Sequence, residues 1–122
     1  MPSDDSTTLA ELKEQVKRFC EARDWDQYHN AKDLAIGVST EAGELLDLFR
    51  FKSPEEVEAM FRDEGERMNI EDEMADVLFF ILRLGQKYDI DLAGAFARKL
   101  EMNEQKYPIE RARGKNKKYN RL

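Results

Sequence analysis

The hydrophobic positions of this chain recur mainly three and four residues apart, which is the spacing of one face of an α-helix. Thr8 and Glu11 have the spacing of a capping box, and the apolar period after them continues to about Arg23. The alternation typical of β-strands is nearly absent. The pattern therefore predicts an all-α protein that opens with a helix over about residues 9–23.

A longer helix is predicted after the aromatic loop at residues 24–30. Asn30 stands at its N-cap position, and helical spacing continues to about Phe51. Ser53 and Pro54 then supply the N-cap and the first-turn proline of a short helix, which should end near residue 65.

Two more helices complete the prediction. Asn69 is expected to cap a second long helix that runs to about Tyr88, and Asp91 is expected to open a last helix that Pro108 stops. The result is a helical bundle with two long inner helices. It should form one domain over residues 1–122, with a flexible segment at residues 1–7.

The two long helices are unusual because they carry acids among apolar residues. Residues 74–84 are apolar at nearly every position, so this stretch is expected to be buried on most sides, yet it contains Asp76. Residues 34–49 are mainly apolar or small and contain Glu41 and Glu44. A buried carboxylate without a partner costs several kcal/mol or becomes protonated, so these acids need a partner.

The spacing of the acids indicates what the partner is. Glu41 and Glu44 stand three residues apart on one helix, and Glu73 and Asp76 stand three apart on the other. Each pair therefore projects from one helix face. If the two helices pack side by side, the four carboxylates converge.

A divalent cation is the natural counter-charge for such a cluster. The nearby basic residues, Arg50, Lys52 and Arg83, sit at helix ends or on other faces. An all-oxygen site suits Mg²⁺, with Mn²⁺ as a substitute. A di-iron bundle would need E-x-x-H motifs, and the one histidine, His29, lies in a loop. The competing interpretation is that the acids are simply solvated, since a single E-x-x-E segment is common.

Charge and composition narrow the function classes. The net charge of −6 divides into −11 over residues 1–108 and +5 over the basic tail, residues 109–122. An acidic body disfavours nucleic-acid binding, and by composition alone the tail is a solvated basic end. No apolar run approaches the roughly 18 residues of a membrane span. The single cysteine, Cys20, and the polar start of the chain indicate a cytoplasmic protein.

The acid motif and its surroundings resemble a known family. The segments at residues 41–44 and 73–76 match the E-x-x-E and E-x-x-D signature of the all-α nucleoside triphosphate pyrophosphohydrolases, the MazG-like superfamily. Further similar segments point to the dCTP pyrophosphatase branch; they are residues 23–29, 43–52, 76–78, 102–108, 112–114 and 118–119. The resemblance covers about residues 8–122.

This resemblance implies an activity and a set of metal ligands. The activity is Mg²⁺-dependent hydrolysis of a nucleoside triphosphate to the monophosphate and diphosphate, as part of nucleotide-pool housekeeping. Glu41, Glu44, Glu73 and Asp76 would hold the metal, and Glu41 or Glu44 would take the proton of the attacking water. The resemblance also implies a homo-oligomer, either a dimer or a dimer of dimers.

The resemblance implies a base pocket as well. Trp25 matches one of two tryptophans that line this pocket in the dCTP pyrophosphatase branch, and Phe51 replaces the other. Phe80 stands in place of a tyrosine, so a ring for stacking on the base is kept, and Val16 stands in place of a histidine. His29 could supply a hydrogen-bond donor. The expected substrates are dCTP-like or modified pyrimidine deoxynucleotides.

The last helix is implied to contact the phosphates. Lys99, Asn103, Lys106 and Tyr107 stand at the matching positions, and the first three share one helix face. The alternative for these residues is an ordinary solvated face. The alternative for the whole chain is a helical interaction module without enzymatic activity, which would dock an acidic partner through the basic tail.

Overall fold

The computed structural model describes residues 1–122 and contains helices but no strands, which confirms the predicted all-α class. The six helices are α1 (Leu9–Ala22), α2 (Ala31–Phe49), α3 (Pro54–Met60), α4 (Glu64–Lys87), α5 (Leu92–Lys106) and α6 (Ile109–Ala112). Two 3₁₀ turns are formed by Asp26–Tyr28 and Tyr119–Arg121. The chain divides into two compact units, Met1–Asp89 and Ile90–Leu122.

The predicted starts of α1, α2 and α3 are confirmed, and at each of them a side chain caps the backbone. Thr8 and Glu11 form a complete capping box, and Ser53 forms another at the start of α3. The side chain of Asn30 accepts a hydrogen bond from the Asp33 backbone N–H at 2.9 Å. These caps satisfy N–H groups that the first helical turn leaves without partners.

The predicted start of α4 is wrong. This helix begins at Glu64 rather than at Asn69, and the short α3 ends at Met60. The cap is Asp63, whose carboxylate accepts a hydrogen bond from the Glu66 backbone N–H at 2.9 Å. The first turn of α4 is polar, so it lacks the apolar period that would have marked it as helical.

In the unit Met1–Asp89, α4 packs against both α1 and α2. The apolar core of this unit is small. Its buried side chains are Val16, Cys20, Leu34, Met60, Ile70 and Leu82. No helix of the protein is both long enough and apolar enough to cross a membrane.

The expectation that residues 74–84 are buried on most sides is wrong for the single chain. Met74 is 56% exposed and Leu78 is 43% exposed, while Leu82 and Arg83 are buried. On α2, Leu46 is 67% exposed. One chain provides too few helices to cover every apolar face of α2 and α4, so a large apolar surface remains open.

The unit Ile90–Leu122 consists of α5, α6 and the second 3₁₀ turn, and none of its residues is buried. The rings of Tyr107 and Tyr119 meet edge to face, with centroids 6.2 Å apart. Arg111 donates a hydrogen bond to the Leu122 carbonyl at 2.9 Å. These contacts hold the basic tail, residues 109–122, against the end of α5.

Candidate active site

The site is built on the line of contact between α2 and α4. Gly37 of α2 lies against Phe80 of α4, and one turn further along α2, Glu41 lies close to Glu73 and Asp76. Residue numbers rise along one helix as they fall along the other, so the two helices are antiparallel. This arrangement brings together the E-x-x-E and E-x-x-D segments, which are distant in the sequence.

Three of the four predicted acids form a tight group. Carboxylate oxygens of Glu41, Glu73 and Asp76 lie within 4.8 Å of one another. The Oε2 atoms of Glu41 and Glu73 are buried and have no hydrogen-bond partner. A buried oxygen without a partner is costly, so this arrangement suits a positively charged ligand.

The raised pKa values of Glu41 and Glu73 also indicate a site that suits a positively charged ligand. Burial raises the pKa of Glu41 above its ordinary value, and the neighbouring carboxyl of Glu44, followed by the charges of Asp76 and Glu73, raises it further. Burial is likewise the main cause of the raised pKa of Glu73, followed by the charge of Glu44. Like charges held together disfavour ionisation unless a cation is present.

Glu44 is next to this group rather than inside it. Its exposed carboxyl acts on both Glu41 and Glu73, but it is not one of the three acids whose oxygens converge within 4.8 Å. Hard divalent cations prefer carboxylate oxygens, so the three acids can hold such an ion, with Glu44 available at its edge. The role of Glu44 as a ligand stays a prediction.

A row of aromatic rings leads away from the acids, across α4 to α1 and the loop after α1. Phe80 meets Phe79 at 5.3 Å between ring centroids, and Phe79 meets Phe19 of α1 at 5.8 Å. Phe19 in turn meets Trp25 at 5.6 Å. Phe80 stands one turn after Asp76, so the aromatic row starts beside the acids. Two predicted base-pocket residues, Trp25 and Phe80, are its two ends.

Arg83 departs from the sequence-based expectation. The sequence predicts no buried basic residue in this segment of α4, but the side chain of Arg83 is only 1% exposed. It donates hydrogen bonds to His29 Nδ1 at 3.0 Å, to Gln86 Oε1 at 2.6 Å and to a carboxylate oxygen of Asp26. These partners explain why Arg83 does not neutralise the acid group: its positive charge is already paired with Asp26.

A polar cavity of about 330 Å³ lies further along the α2–α4 contact, toward the end of α2. Its lining residues are Asp47, Leu48, Arg50, Lys52, Met60, Glu66 and Asn69. Asp47 stands one turn after Glu44, and Asn69 stands one turn before Glu73, so the cavity continues the row of acids. The spacing of residues along the sequence does not reveal this cavity, because its walls come from α2 and the segment after it, α3 and α4.

Phe51 lies at the end of α2, next to residues that line this cavity. Its side chain is 91% exposed and its backbone has a φ of +64°, in the left-handed region that side chains seldom adopt. The guanidinium of Arg50 lies 4.7 Å from the centre of the Phe51 ring. Phe51 therefore presents an aromatic face that this chain does not cover.

The predicted phosphate-contacting residues all lie on α5 or at its end, in the unit Ile90–Leu122. Lys99 is exposed and Asn103 is half-buried. The Asn103 carbonyl accepts a hydrogen bond from the backbone N–H of Tyr107 at 2.9 Å, and Lys106 Nζ lies 5.0 Å from the centre of the Tyr119 ring. Their contact with phosphates stays a prediction.

Together, the fold and the acid group define an all-α protein whose two antiparallel helices bring together carboxylates that can hold a divalent cation. The sequence model of the MazG-like family matches residues 36–122. The chain belongs to the MazG-like family. This confirms the family predicted from the acid signature.

Several named proteins are similar to this chain. It is 33% identical to the dCTP pyrophosphatase 1 of Rattus norvegicus and 31% identical to that of Homo sapiens, in each case over 94% of this chain and 68% of the relative. Among solved structures, it is similar to a pyrophosphatase from Archaeoglobus fulgidus, with a TM-score of 0.72 and 40% identity. That match covers 82% of this chain and 92% of the archaeal one.

Proposed function

We propose that this protein is a Mg²⁺-dependent pyrophosphohydrolase that converts a deoxynucleoside triphosphate and water into the monophosphate and diphosphate. The enzyme class, a nucleoside triphosphate pyrophosphatase, is confirmed by the named relatives. The observation that carries the metal dependence is the pair of buried, unpartnered oxygens of Glu41 and Glu73 beside the carboxylate of Asp76.

Each acid has a role in this proposal. Glu41, Glu73 and Asp76 hold the cation, and Glu44 completes the set from the exposed edge. When bound, Mg²⁺ or Mn²⁺ supplies positive charge to the phosphate oxygens and makes a coordinated water more acidic. Glu41 or Glu44 accepts the proton of the attacking water. Such chemistry depends mainly on position and charge, so a few carboxylates and cationic side chains suffice.

The substrate is proposed to be dCTP or a modified pyrimidine deoxynucleotide, removed as nucleotide-pool housekeeping in the cytoplasm. Trp25 is 39% exposed and Phe51 is 91% exposed, so each offers a ring face on which a base can stack. Phe80 closes the end of the aromatic row beside the acids. Lys99, Asn103 and Lys106 of α5, together with Tyr107 at its end, are proposed to bind the phosphates.

The active form is proposed to be a homo-oligomer, either a dimer or a dimer of dimers. The exposed apolar side chains of α2 and α4 support this, because contiguous apolar surface of this kind marks interfaces. A second copy of the same two helices offers a self-complementary apolar surface.

The position of bond cleavage tests the proposed reaction. We expect dCTP hydrolysed with Mg²⁺ in ¹⁸O-labelled water to yield labelled monophosphate and unlabelled pyrophosphate, since the water attacks the α-phosphorus. Asp76→Asn is the inactive control, because it removes one charge from the acid group. Release of inorganic phosphate and a diphosphate nucleotide would refute the proposed reaction, and label in the pyrophosphate would refute attack at the α-phosphorus.

A further inference from the structure

The buried Arg83 has no part in the metal site. It stands in the apolar stretch of α4 with its side chain 1% exposed. Burying a guanidinium is costly unless its N–H groups are paired, and Arg83 pairs them with Asp26, His29 and Gln86. Two of these partners belong to the loop that follows Trp25. The arginine therefore connects the interior of α4 to a predicted base-pocket segment.

The hydrogen bond between Arg83 and His29 fixes which imidazole nitrogen carries the proton. Arg83 Nε is always a donor, so His29 Nδ1, at 3.0 Å, must be the acceptor. The proton of the neutral ring then resides on Nε2. Burial, reinforced by the charges of Arg83 and Lys87, lowers the pKa of His29, which keeps the ring neutral at pH 7.

The same contacts fix the position of His29. Asp26 pairs with Arg83, and its backbone carbonyl accepts a hydrogen bond from Lys87 Nζ at 3.0 Å. These bonds tie the 3₁₀ turn Asp26–Tyr28 to α4. The imidazole lies edge-on to Trp25, with ring centroids 6.2 Å apart. A base stacked on the exposed part of Trp25 would therefore have a neutral donor close to its edge.

We propose that Arg83 is a positioning residue for base selection: it holds His29 as the Nε2–H tautomer beside Trp25, so that His29 donates a hydrogen bond to a carbonyl oxygen of the substrate base. This inference rests on the proposed function, because it concerns the base of that same nucleotide. It favours pyrimidines, which carry a carbonyl at position 2, over adenine, which carries none.

The first test observes the tautomer directly and needs no substrate. His29 is the one histidine of the chain, so a long-range ¹⁵N–¹H spectrum of its imidazole contains a single set of signals. We expect the Nε2–H pattern in the wild type and a mixture of tautomers in Arg83→Lys, which keeps the charge but loses the Nε–H donor. Lys87→Gln is the matched control, because Lys87 contacts Asp26 but not His29.

The second test measures base selection with two further variants. His29→Asn keeps an oxygen that can accept from Arg83 but has no donor at the Nε2 position, whereas His29→Gln places an amide N–H there. We expect KM for dCTP to rise about three- to tenfold in Arg83→Lys and His29→Asn, the range of one lost hydrogen bond. For dATP we expect little change in KM, and His29→Gln should recover most of the loss for dCTP.

Several outcomes would overturn the proposal. They are an Nδ1–H pattern in the wild type, an unchanged tautomer in folded Arg83→Lys, or equal changes in KM for dCTP and dATP. If Arg83→Lys does not fold, the tautomer of the wild type and the KM values of His29→Asn and His29→Gln still test the proposal. Equal KM values of these two variants for dCTP would then overturn it. Failure of the proposed function is distinguishable, because it would appear as no pyrophosphate release from either nucleotide by the wild type.

Discussion

Gly37 and Phe80 are in direct contact, backbone against ring, where α2 crosses α4. A Cβ built at Gly37 would lie 2.5 Å from two ring carbons of Phe80, closer than any real contact allows. The absence of a side chain at Gly37 is therefore what lets the two helices approach one turn away from Glu41 and Asp76. The distance between the acid pairs depends on this contact.

We expect Gly37→Ala to destabilise the protein by about 1–3 kcal/mol, because the ring or the helix must move to accept the methyl group. Gly43→Ala is the matched control on the same helix, since a Cβ there meets nothing within 4 Å. That control should gain up to about 1 kcal/mol from helix propensity. Urea unfolding of both variants measures the difference, and equal effects would contradict the role assigned to Gly37.

Neutralising Glu41, which is half-buried, should stabilise the metal-free protein and remove its response to metal. We expect Glu41→Gln to raise the melting temperature in EDTA, because it removes repulsion from Glu73 and Asp76. In the wild type, Mg²⁺ should raise the melting temperature. At a hundred times its Kd, the ion should add about 2.7 kcal/mol to the free energy of unfolding. Glu55→Gln, an exposed acid on α3, is the control. Equal protection by Mg²⁺ in Glu41→Gln and wild type would argue against the proposed site.

The acid site was largely predictable because it depends on local spacing. An E-x-x-E segment places two carboxylates on one helix face wherever the helix packs, so pairing two such helices was enough to predict the convergence of Glu41, Glu73 and Asp76. The burial of Arg83 was not predictable in this way. Its partners Asp26 and His29 lie more than fifty residues away, and only packing of α1 and its following loop on α4 brings them together.

The difference between local spacing and contacts with distant residues also explains why the start of α4 was predicted wrongly. The cap at Asp63 is local, but the first turn after it is polar, and its helical state is decided by the residues that follow. The Arg83 signal was nevertheless present in the sequence: a single arginine within an apolar helix requires a partner of opposite charge. A buried arginine needs a counter-charge just as a buried acid does, so the sequence already indicates an ion pair for Arg83.

The neutral state of His29 should make stability fall in mild acid. Its folded pKa is lowered by burial and by the charges of Arg83 and Lys87, which outweigh the opposing charges of Asp26 and Asp33. Below its ordinary value of 6.5, the unfolded chain binds a proton that the folded chain does not. This contribution to stability is therefore complete above that value and is lost as the pH falls toward the lowered folded pKa.

The free energy of unfolding of wild type and His29→Gln, measured in urea at pH 7.5 and 5.5, checks this expectation. The variant cannot titrate at this position, so the difference between the two proteins isolates the histidine from the acids. We expect the wild type to lose more stability than His29→Gln over this interval. An equal loss would mean that His29 is not held neutral.

The apolar surface of α2 and α4 should control assembly. We expect light scattering to give a multiple of the chain mass of 14.3 kDa at micromolar concentration. Leu46→Lys should shift the protein toward the single-chain mass, because it places a charge on a side chain that is 67% exposed in one chain. Ala10→Lys, on the exposed start of α1, is the control. A single-chain mass in the wild type would contradict the proposed oligomer.

The exposed rings of Trp25 and Phe51 should both contribute to binding of the pyrimidine base. We expect Trp25→Ala to raise KM for dCTP by roughly tenfold or more, since stacking is worth about 1–3 kcal/mol per base. Phe51→Trp should lower KM for pyrimidine nucleotides, because the larger ring offers more stacking area. Steady-state kinetics measure both, with Tyr28→Ala as the control on the loop beside Trp25. Unchanged KM in Trp25→Ala would remove this residue from the base pocket.

The antiparallel pairing of α2 and α4 separates the chemistry of the site from the length of the segment that joins the helices. Residues 50–63 return the chain to the start of α4 through α3 and the buried Met60, and doubling the flexible part of such a connection costs about 0.6 kcal/mol. The acids would keep their places through insertions there. Because this same segment carries Phe51, Lys52 and Met60, changes in its length would alter the polar cavity and the exposed ring while leaving the carboxylates untouched. We therefore expect the polar cavity and Phe51 to tolerate changes independently of the carboxylates on α2 and α4.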